Sequence, residues 1–256
     1  LGSGLAAGAG IAMGAAITGR AYRTYVMLGE GDLQEGATWE ALLLAGHHKL
    51  ANLCALVDYN RSQVDGKSDA ILSLDPLPDK LRACRWSVLE IDGHDLSQIL
   101  AALDWAKSVT DAPAAIVAHT TKGKGVSFML DRHEWHGKAP NRQQAIAALA
   151  ELGETWSPDP LPPARTPALG AALAAAPRAP ARRALREAFG AELVSLGAEI
   201  PNLVVLDADI SSSLKTGEFR KAYPERHINY GVAEQNMLLG AAGLSTTGLI
   251  PLACTY

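Results

Sequence analysis

Two short polar segments carry the oxygen-rich chemistry of this chain. The first is Gly29-Glu30-Gly31-Asp32, which directly follows the apolar run Thr24–Leu28. The second is Asp58-Tyr59-Asn60-Arg61, which directly follows the apolar run Leu53–Val57. Glu30, Asp32 and Asn60 offer hard oxygens, and Gly29 and Gly31 allow a backbone to approach an anion closely. Magnesium prefers a few protein oxygens together with phosphate oxygens. Such a set suits a metal-bound diphosphate group. Either carboxylate, Glu30 or Asp32, is long enough to serve.

The elements that must position these residues can be read from the same stretch. Thr38–Lys49 has helical character between the two apolar runs, giving strand, loop, helix, strand, loop. In open parallel sheets, ligands sit outside the carboxyl ends of the strands, where the two polar loops would meet. A helix beginning after Gly36 would turn unpaired N–H groups toward the same place. Downstream, Trp86–Ile91 and Ala114–His119 read as strands and Leu96–Lys107 as a helix with Asp95 as its N-cap. Crossover helices between strands imply an α/β fold with a parallel sheet flanked by helices. Lys67–Asp79, with Pro76 and Pro78, reads as a loop. Thr120–Pro140 reads as a long loop leaving the sheet's carboxyl edge, and Asn141–Leu152 as a short helix.

Gly153–Pro180 changes character, with Pro158, Pro160, Pro162, Pro163, Pro167, Pro177 and Pro180 set among alanines. Proline at this density blocks helix and sheet alike, so a semi-rigid linker is expected. The domain reading is therefore 1–152, a linker at 153–180, and a second unit at 181–256. In that second unit, Ala181–Leu196 reads as a helix, Leu203–Leu206 as a strand, Glu218–Tyr223 as a helix, Val232–Leu244 as a helix, and Leu249–Thr255 as the start of a strand. Leu1–Thr18 is rich in glycine and alanine, which suits a buried helix in tight contact with its neighbours. Gly8-Ala-Gly10-Ile-Ala-Met-Gly14 nearly mimics a dinucleotide fingerprint, but no strand precedes it.

The 256 residues are 48% hydrophobic and 20% charged, an ordinary soluble composition. A net charge of −4 leaves no basic footprint for nucleic acid. The first 18 residues are too short and too poor in large apolar side chains for a membrane span, and no basic start marks a signal peptide. Cys54, Cys84 and Cys254 lie far apart, which argues against a disulfide framework or zinc site and fits a cytoplasmic location. Both ends fall inside apolar stretches, so a piece of a longer chain is expected.

The paired loops resemble the thiamine-diphosphate signature, Gly-Asp-Gly followed one strand–helix–strand unit later by Asn. The wording Gln34-Glu35-Gly36-x-x-Trp39-Glu40-Ala41 and Asp58-x-Asn60-x-x-Gln63-x-Asp65-Gly66 is similar to transketolases. So is Lys122-Gly-Lys-Gly-Val-Ser-Phe-Met followed by Trp135-His136-Gly137-Lys138, and so is Ile228-Asn-Tyr-Gly-Val-Ala-Glu234-Gln-Asn-Met237. One departure is plain: the family's central aspartate is Glu30 here, and Asp32 follows.

The resemblance implies a thiamine-diphosphate-binding fold and the start of a second, pyrimidine-binding domain. It implies thiamine diphosphate with Mg2+ (or Ca2+) as cofactors. Glu30, Asn60 and Ser62 are the metal set, with Asp32 in reserve. Gly2, Gly29, Gly31, Glu35, Asn60, Asp209 and Glu234 are cofactor contacts. His136 would reach the diphosphate and the substrate hydroxyls. Glu234 would be the activating glutamate, a buried carboxyl at N1′ of the aminopyrimidine. The implied reaction is reversible transfer of a two-carbon ketol unit from a ketose phosphate to an aldose phosphate. The implied assembly is a homodimer with cofactor at the subunit interface. Alternatives are another thiamine-diphosphate enzyme, such as a deoxyxylulose-phosphate synthase, or a non-catalytic cofactor-binding remnant.

Overall fold

The computed structural model describes residues 2–155 and 184–255. Most of the proline-rich stretch lies outside the described residues. The first half runs α1 (Gly4–Thr18), β1 (Thr24–Gly29), α2 (Gly36–His47), β2 (Leu53–Tyr59), two short strands β3 (Ser62–Gln63) and β4 (Gly66–Lys67), α3 (Ser68–Ile71), α4 (Leu77–Ala83), β5 (Ser87–Asp92), α5 (Leu96–Ser108), β6 (Ala114–His119) and α6 (Arg142–Glu151). The second half runs α7 (Leu185–Glu199), β7 (Leu203–Asp207), α8 (Ser211–Leu214), α9 (Gly217–Ala222), β8 (His227–Asn229), α10 (Glu234–Ser245) and β9 (Ile250–Cys254).

The main sheet has the order β1-β2-β6-β5, and every pairing in it is parallel. Its register sets Gly29 beside Asp58, Asp58 beside Ala118, and His119 beside Asp92. All four strands therefore end at one edge, and the loops carrying Glu30, Asn60, His94 and Thr120 leave from it. β2 is buried almost throughout, as expected for a central parallel strand covered on both faces. The second sheet, β8-β7-β9, is also parallel, with Asp207 beside both Asn229 and Cys254.

α1 and α10 pack closely and join the two halves. A Cβ on Gly10 would stand 2.1 Å from the carbonyl oxygen of Gly240, and one on Gly243 would stand 2.0 Å from that of Ala7. Each glycine costs about 1 kcal/mol of helix propensity relative to alanine, and this backbone-to-backbone approach is what offsets it. One apolar core runs through the contact, from Leu5, Leu28, Leu42 and Val57 to Val204, Leu206, Met237 and Leu244. Smaller cores sit beneath α5, around Ile116, and beneath α7 and α9, around Phe219. Among the described residues, no helix is long and apolar enough to cross a membrane.

Asp95 caps α5 as expected, accepting from the amides of Ser97 and Gln98, and Asn141 caps α6 in a reciprocal pair with Gln144. The span Lys67–Asp79 departs from expectation. It contains α3, and α4 already begins at Leu77. Pro78 sits in the first turn of α4, where a missing N–H leaves no intrahelical bond unmade.

Candidate functional site

β1 delivers Glu30 into the protein, where it is only 4% exposed. β2 delivers Asn60 at the neighbouring strand end. Between them lies the backbone N–H of Ser62, which donates to Glu30 Oε2 at 3.0 Å and to Asn60 Oδ1 at 2.9 Å. The two side chains therefore converge on one amide. Burial pushes the Glu30 carboxyl above the usual glutamate range, and the Ser68 hydroxyl, the Ser62 amide and the Arg61 charge only partly offset it. The Ser68 hydroxyl is near enough to act electrostatically, yet no aligned hydrogen bond joins it to Glu30. Glu30 Oε1, Ser62 Oγ and Ser68 Oγ are buried and unpartnered. Such atoms are costly unless something satisfies them.

Asp32 is used differently. Its Oδ1 accepts from the Gly2 amide at 2.8 Å and its Oδ2 from the Gly29 amide at 3.1 Å. Asp32 thus knots the approach to α1 onto the end of β1, and both of its oxygens are taken by backbone. Gly2 has φ +74°, and a Cβ there would stand 2.4 Å from Glu35 Cβ, so the Glu35 stem covers it. Glu35 itself is exposed at the N-cap of α2, and no side chain caps that helix. Gly31 has an ordinary φ of −61° at the start of a 3-10 turn. Its contribution is therefore the missing side chain rather than unusual backbone freedom.

The loop after β2 is braced from outside. Arg61 donates to Asp75 at 2.6 Å and to Asp69 at 3.1 Å, and its guanidinium lies 4.2 Å from the Tyr59 ring centroid. Tyr59 donates to Asp75 at 2.6 Å. Those hydrogen bonds from Tyr59 and Arg61 hold the Asp75 carboxyl below its usual range. Deeper in, Asp58 accepts from Asn60 Nδ2 at 2.9 Å and from the Thr120 hydroxyl.

His136 stands apart. It is exposed at the end of a 3-10 turn, His133–Trp135, in a loop stitched by Trp135 Nε1 donating to the Phe128 carbonyl and by a Lys67–Asp131 ion pair. No hydrogen bond or ion pair joins the His136 side chain to the Glu30–Asn60 cluster.

The second half places Asp209 on an exposed bend after β7 and Glu234, also exposed, at the start of α10. Asp209 has φ +62°. Asn229 Oδ1 accepts from the Asp209 amide at 3.1 Å and from the Gly231 amide at 2.8 Å, and the Tyr230 amide donates to the Asp207 carbonyl. These bonds tie the loop of Asp209 to the loop that leads into Glu234. Asp207 is fully buried, 2.8 Å from His227 Nε2 and 2.7 Å from the donating Thr216 hydroxyl. Burial pushes its carboxyl up, but the bonds from His227 and Thr216 outweigh that and hold it below the usual aspartate range.

Glu234 is the first residue of α10, in the first turn as expected. The buried carboxyl implied by the resemblance is not formed within this chain alone: the Glu234 side chain is exposed, whereas Asn236 and Met237, in the same turn, are buried. Two positions along, the Asn236 amide donates to Glu40 Oε2 on α2 at 3.3 Å, a direct link between the halves. The Asn236 side chain is fully buried, and both of its amide atoms are unpartnered.

The residues therefore fall into groups. Glu30, Asn60 and Ser62 meet. Gly2, Gly29, Asp32 and Glu35 form an adjoining knot. His136, Asp209 and Glu234 face outward. Sequence reasoning missed Asp58, Asn229 and the Glu40–Asn236 link. The signal for Asp58 was a carboxylate directly after an apolar run; for Asn229, in the short strand His-Ile-Asn, and for the link there was none.

Comparison with known proteins identifies the family. Residues 1–167 match the family model for "Transketolase, thiamine diphosphate binding domain", and residues 181–256 match "Transketolase, pyrimidine binding domain". The chain is 33% identical to transketolase-like protein 2 of Mus musculus, over 95% of this chain and 41% of that protein. It is 32% identical to transketolase of Homo sapiens, over 98% of this chain and 42% of that protein. The chain thus spans less than half the length of these curated relatives. Among solved structures, transketolase from Campylobacter jejuni matches with a TM-score of 0.84 at 23% identity, over all of this chain and 47% of the other. That likeness establishes the α/β thiamine-diphosphate-binding fold.

Proposed function

The chain belongs to the transketolase family, and from that premise we propose that it serves a transketolase-type transfer of a two-carbon ketol unit from a ketose phosphate to an aldose phosphate. The observation that carries this reading is the convergence of Glu30 and Asn60 on the Ser62 amide, with buried oxygens left unpartnered beside it. A divalent cation with a diphosphate fits that donor set: a carboxylate oxygen, an amide oxygen and further hard oxygens from Ser62. Mg2+ would be held by Glu30, Asn60 and Ser62, with Asp32 committed to backbone instead.

Thiamine diphosphate, when bound, supplies carbanion stabilisation. The chain's own residues supply binding and proton placement. Gly29, Gly31 and the uncapped start of α2 offer a close, amide-rich approach to an anion. Glu234 would hold a proton at N1′ of the aminopyrimidine. His136 would donate to diphosphate or sugar hydroxyls. A carboxylate exposed on its own subunit, as Glu234 is, suits one that serves cofactor on a second copy, which favours a symmetric homodimer. The division into 1–152, 153–180 and 181–256 and a cytoplasmic location, argued from free, scattered cysteines, belong to the same reading.

The test is an assay of the complete protein with xylulose 5-phosphate and ribose 5-phosphate, with and without thiamine diphosphate and Mg2+. Seven-carbon product formed only with both cofactors is the expected result. Absence of transfer under every condition would overturn the activity.

A further inference from the structure

Asp58 sits where three strands end together, beside Gly29 on β1 and Ala118 on β6. One of its carboxylate oxygens accepts from Asn60 Nδ2 at 2.9 Å, and the other accepts from the Thr120 hydroxyl. On its opposite side, the Asn60 amide oxygen accepts from the Ser62 N–H at 2.9 Å. The Asn60 amide is thus gripped at both ends by partners of opposite kind. Turned by 180°, it would set oxygen against carboxylate and NH2 against N–H, two repulsive contacts in place of two hydrogen bonds.

The orientation matters because the two ends of that amide are not equivalent toward a cation. The oxygen can ligate a hard metal, and the NH2 cannot. The Ser62 N–H alone is a weak guide, since it is shared with Glu30 Oε2. It is also on the face that a ligand would disturb. Asp58 grips from the other face, and its bond to Thr120 anchors it at the root of the 120–140 loop.

We propose that Asp58 is a positioning residue for the divalent-cation centre: it holds the Asn60 amide oxygen toward Glu30 and Ser62. The proposal rests on the functional reading above. It goes beyond that reading by naming a residue outside the expected ligand set. Outer partners of this kind typically change metal affinity by about 10–100-fold.

The experiment measures Mn2+ binding by electron paramagnetic resonance in the complete protein with saturating thiamine diphosphate, alongside thermal unfolding without metal. Asp58→Leu is expected to weaken Mn2+ binding at least about 10-fold. Asp58→Asn can still accept from Asn60 Nδ2 and donate to Thr120, so it should stay within a few-fold of the parent. Asp58→Leu added to Asn60→Ala should weaken binding no further than Asn60→Ala alone, the non-additivity expected of one coupled pair. A general structural role would instead make the two losses add.

Unchanged binding in Asp58→Leu, an Asp58→Asn loss as large as that of Asp58→Leu, or additive losses would each overturn the proposal. Should Asp58→Leu fail to fold, Asp58→Ser, too short to reach Asn60, takes its place with the same expectations. A parent protein that binds no Mn2+ with thiamine diphosphate would overturn the functional reading itself, and this proposal with it.

Discussion

The loop clusters at the carboxyl edges of the two sheets are built in opposite ways. In the first, the functional side chains are inside: Glu30 is buried, Asn60 is gripped at both ends, and both meet the Ser62 amide. In the second, the supports are inside and the functional groups are outside. Asp207, His227 and Asn236 are buried, Asn229 ties the loops together, and Asp209 and Glu234 stand exposed. Under the proposed function, the first cluster preassembles a cation and anion site within one chain. The second presents a backed pair of exposed carboxylates, Asp209 and Glu234, outward. Under the proposed function, these carboxylates would face a second copy holding cofactor.

The sharpest way to break this contrast is Glu234→Gln. Turnover of the complete protein should fall about 10³-fold, within the usual range for loss of acid–base help. Thiamine diphosphate and Mn2+ affinity should stay within a few-fold, because the first cluster is untouched. Normal turnover would refute the assignment of Glu234.

Next in size is a paired test inside the first cluster. Glu30→Ala should weaken Mn2+ binding about 100-fold, whereas Asp32→Ala should chiefly lower the melting temperature, since Asp32 closes the Gly2–Gly29 knot. The reverse pattern, with metal lost on removing Asp32 and kept on removing Glu30, would exchange the two roles.

The smallest effect concerns the backing of the second cluster. The Asp207 carboxyl titrates lower when folded than in an unfolded chain, where it titrates near 3.9. Its ionised form therefore contributes stability that is present above about pH 4 and is lost as pH falls through the folded-state value. Asp207→Asn should cost on the order of 1 kcal/mol at pH 7. In urea titrations, the gap between parent and variant should close on acidification below about pH 4. A gap that widens as pH falls would reverse the sign of this account.

Much of the architecture was legible because its signals are local. An apolar run followed by Gly-Glu-Gly-Asp, and another followed by Asn60, mark strand ends and polar loops with no help from distant residues. Asp95 and Asn141 advertise helix starts in the same way. The start of α4 was not legible, because Pro78 reads as a loop marker until its place in a first turn is known. The choice between Glu30 and Asp32 was equally hidden. It depends on the Gly2 amide, brought up from before α1. Asp58 read only as one of the polar residues following Leu53–Val57, because the partner that fixes it, Thr120, lies far along the chain.

The sequence by itself determined where most strands and helices lie and which loop oxygens are candidate ligands, since periodicity, glycines and polar strand ends act over a few residues. Only the tertiary structure decided which carboxylate keeps an oxygen free, that Thr120 meets Asp58 behind Asn60, and that Asn236 meets Glu40 between the halves. Those outcomes rest on hydrogen bonds between residues from about 30 to about 200 positions apart. Such pairs form only once α1, α10 and the two sheets have packed, so no window of local sequence contains them.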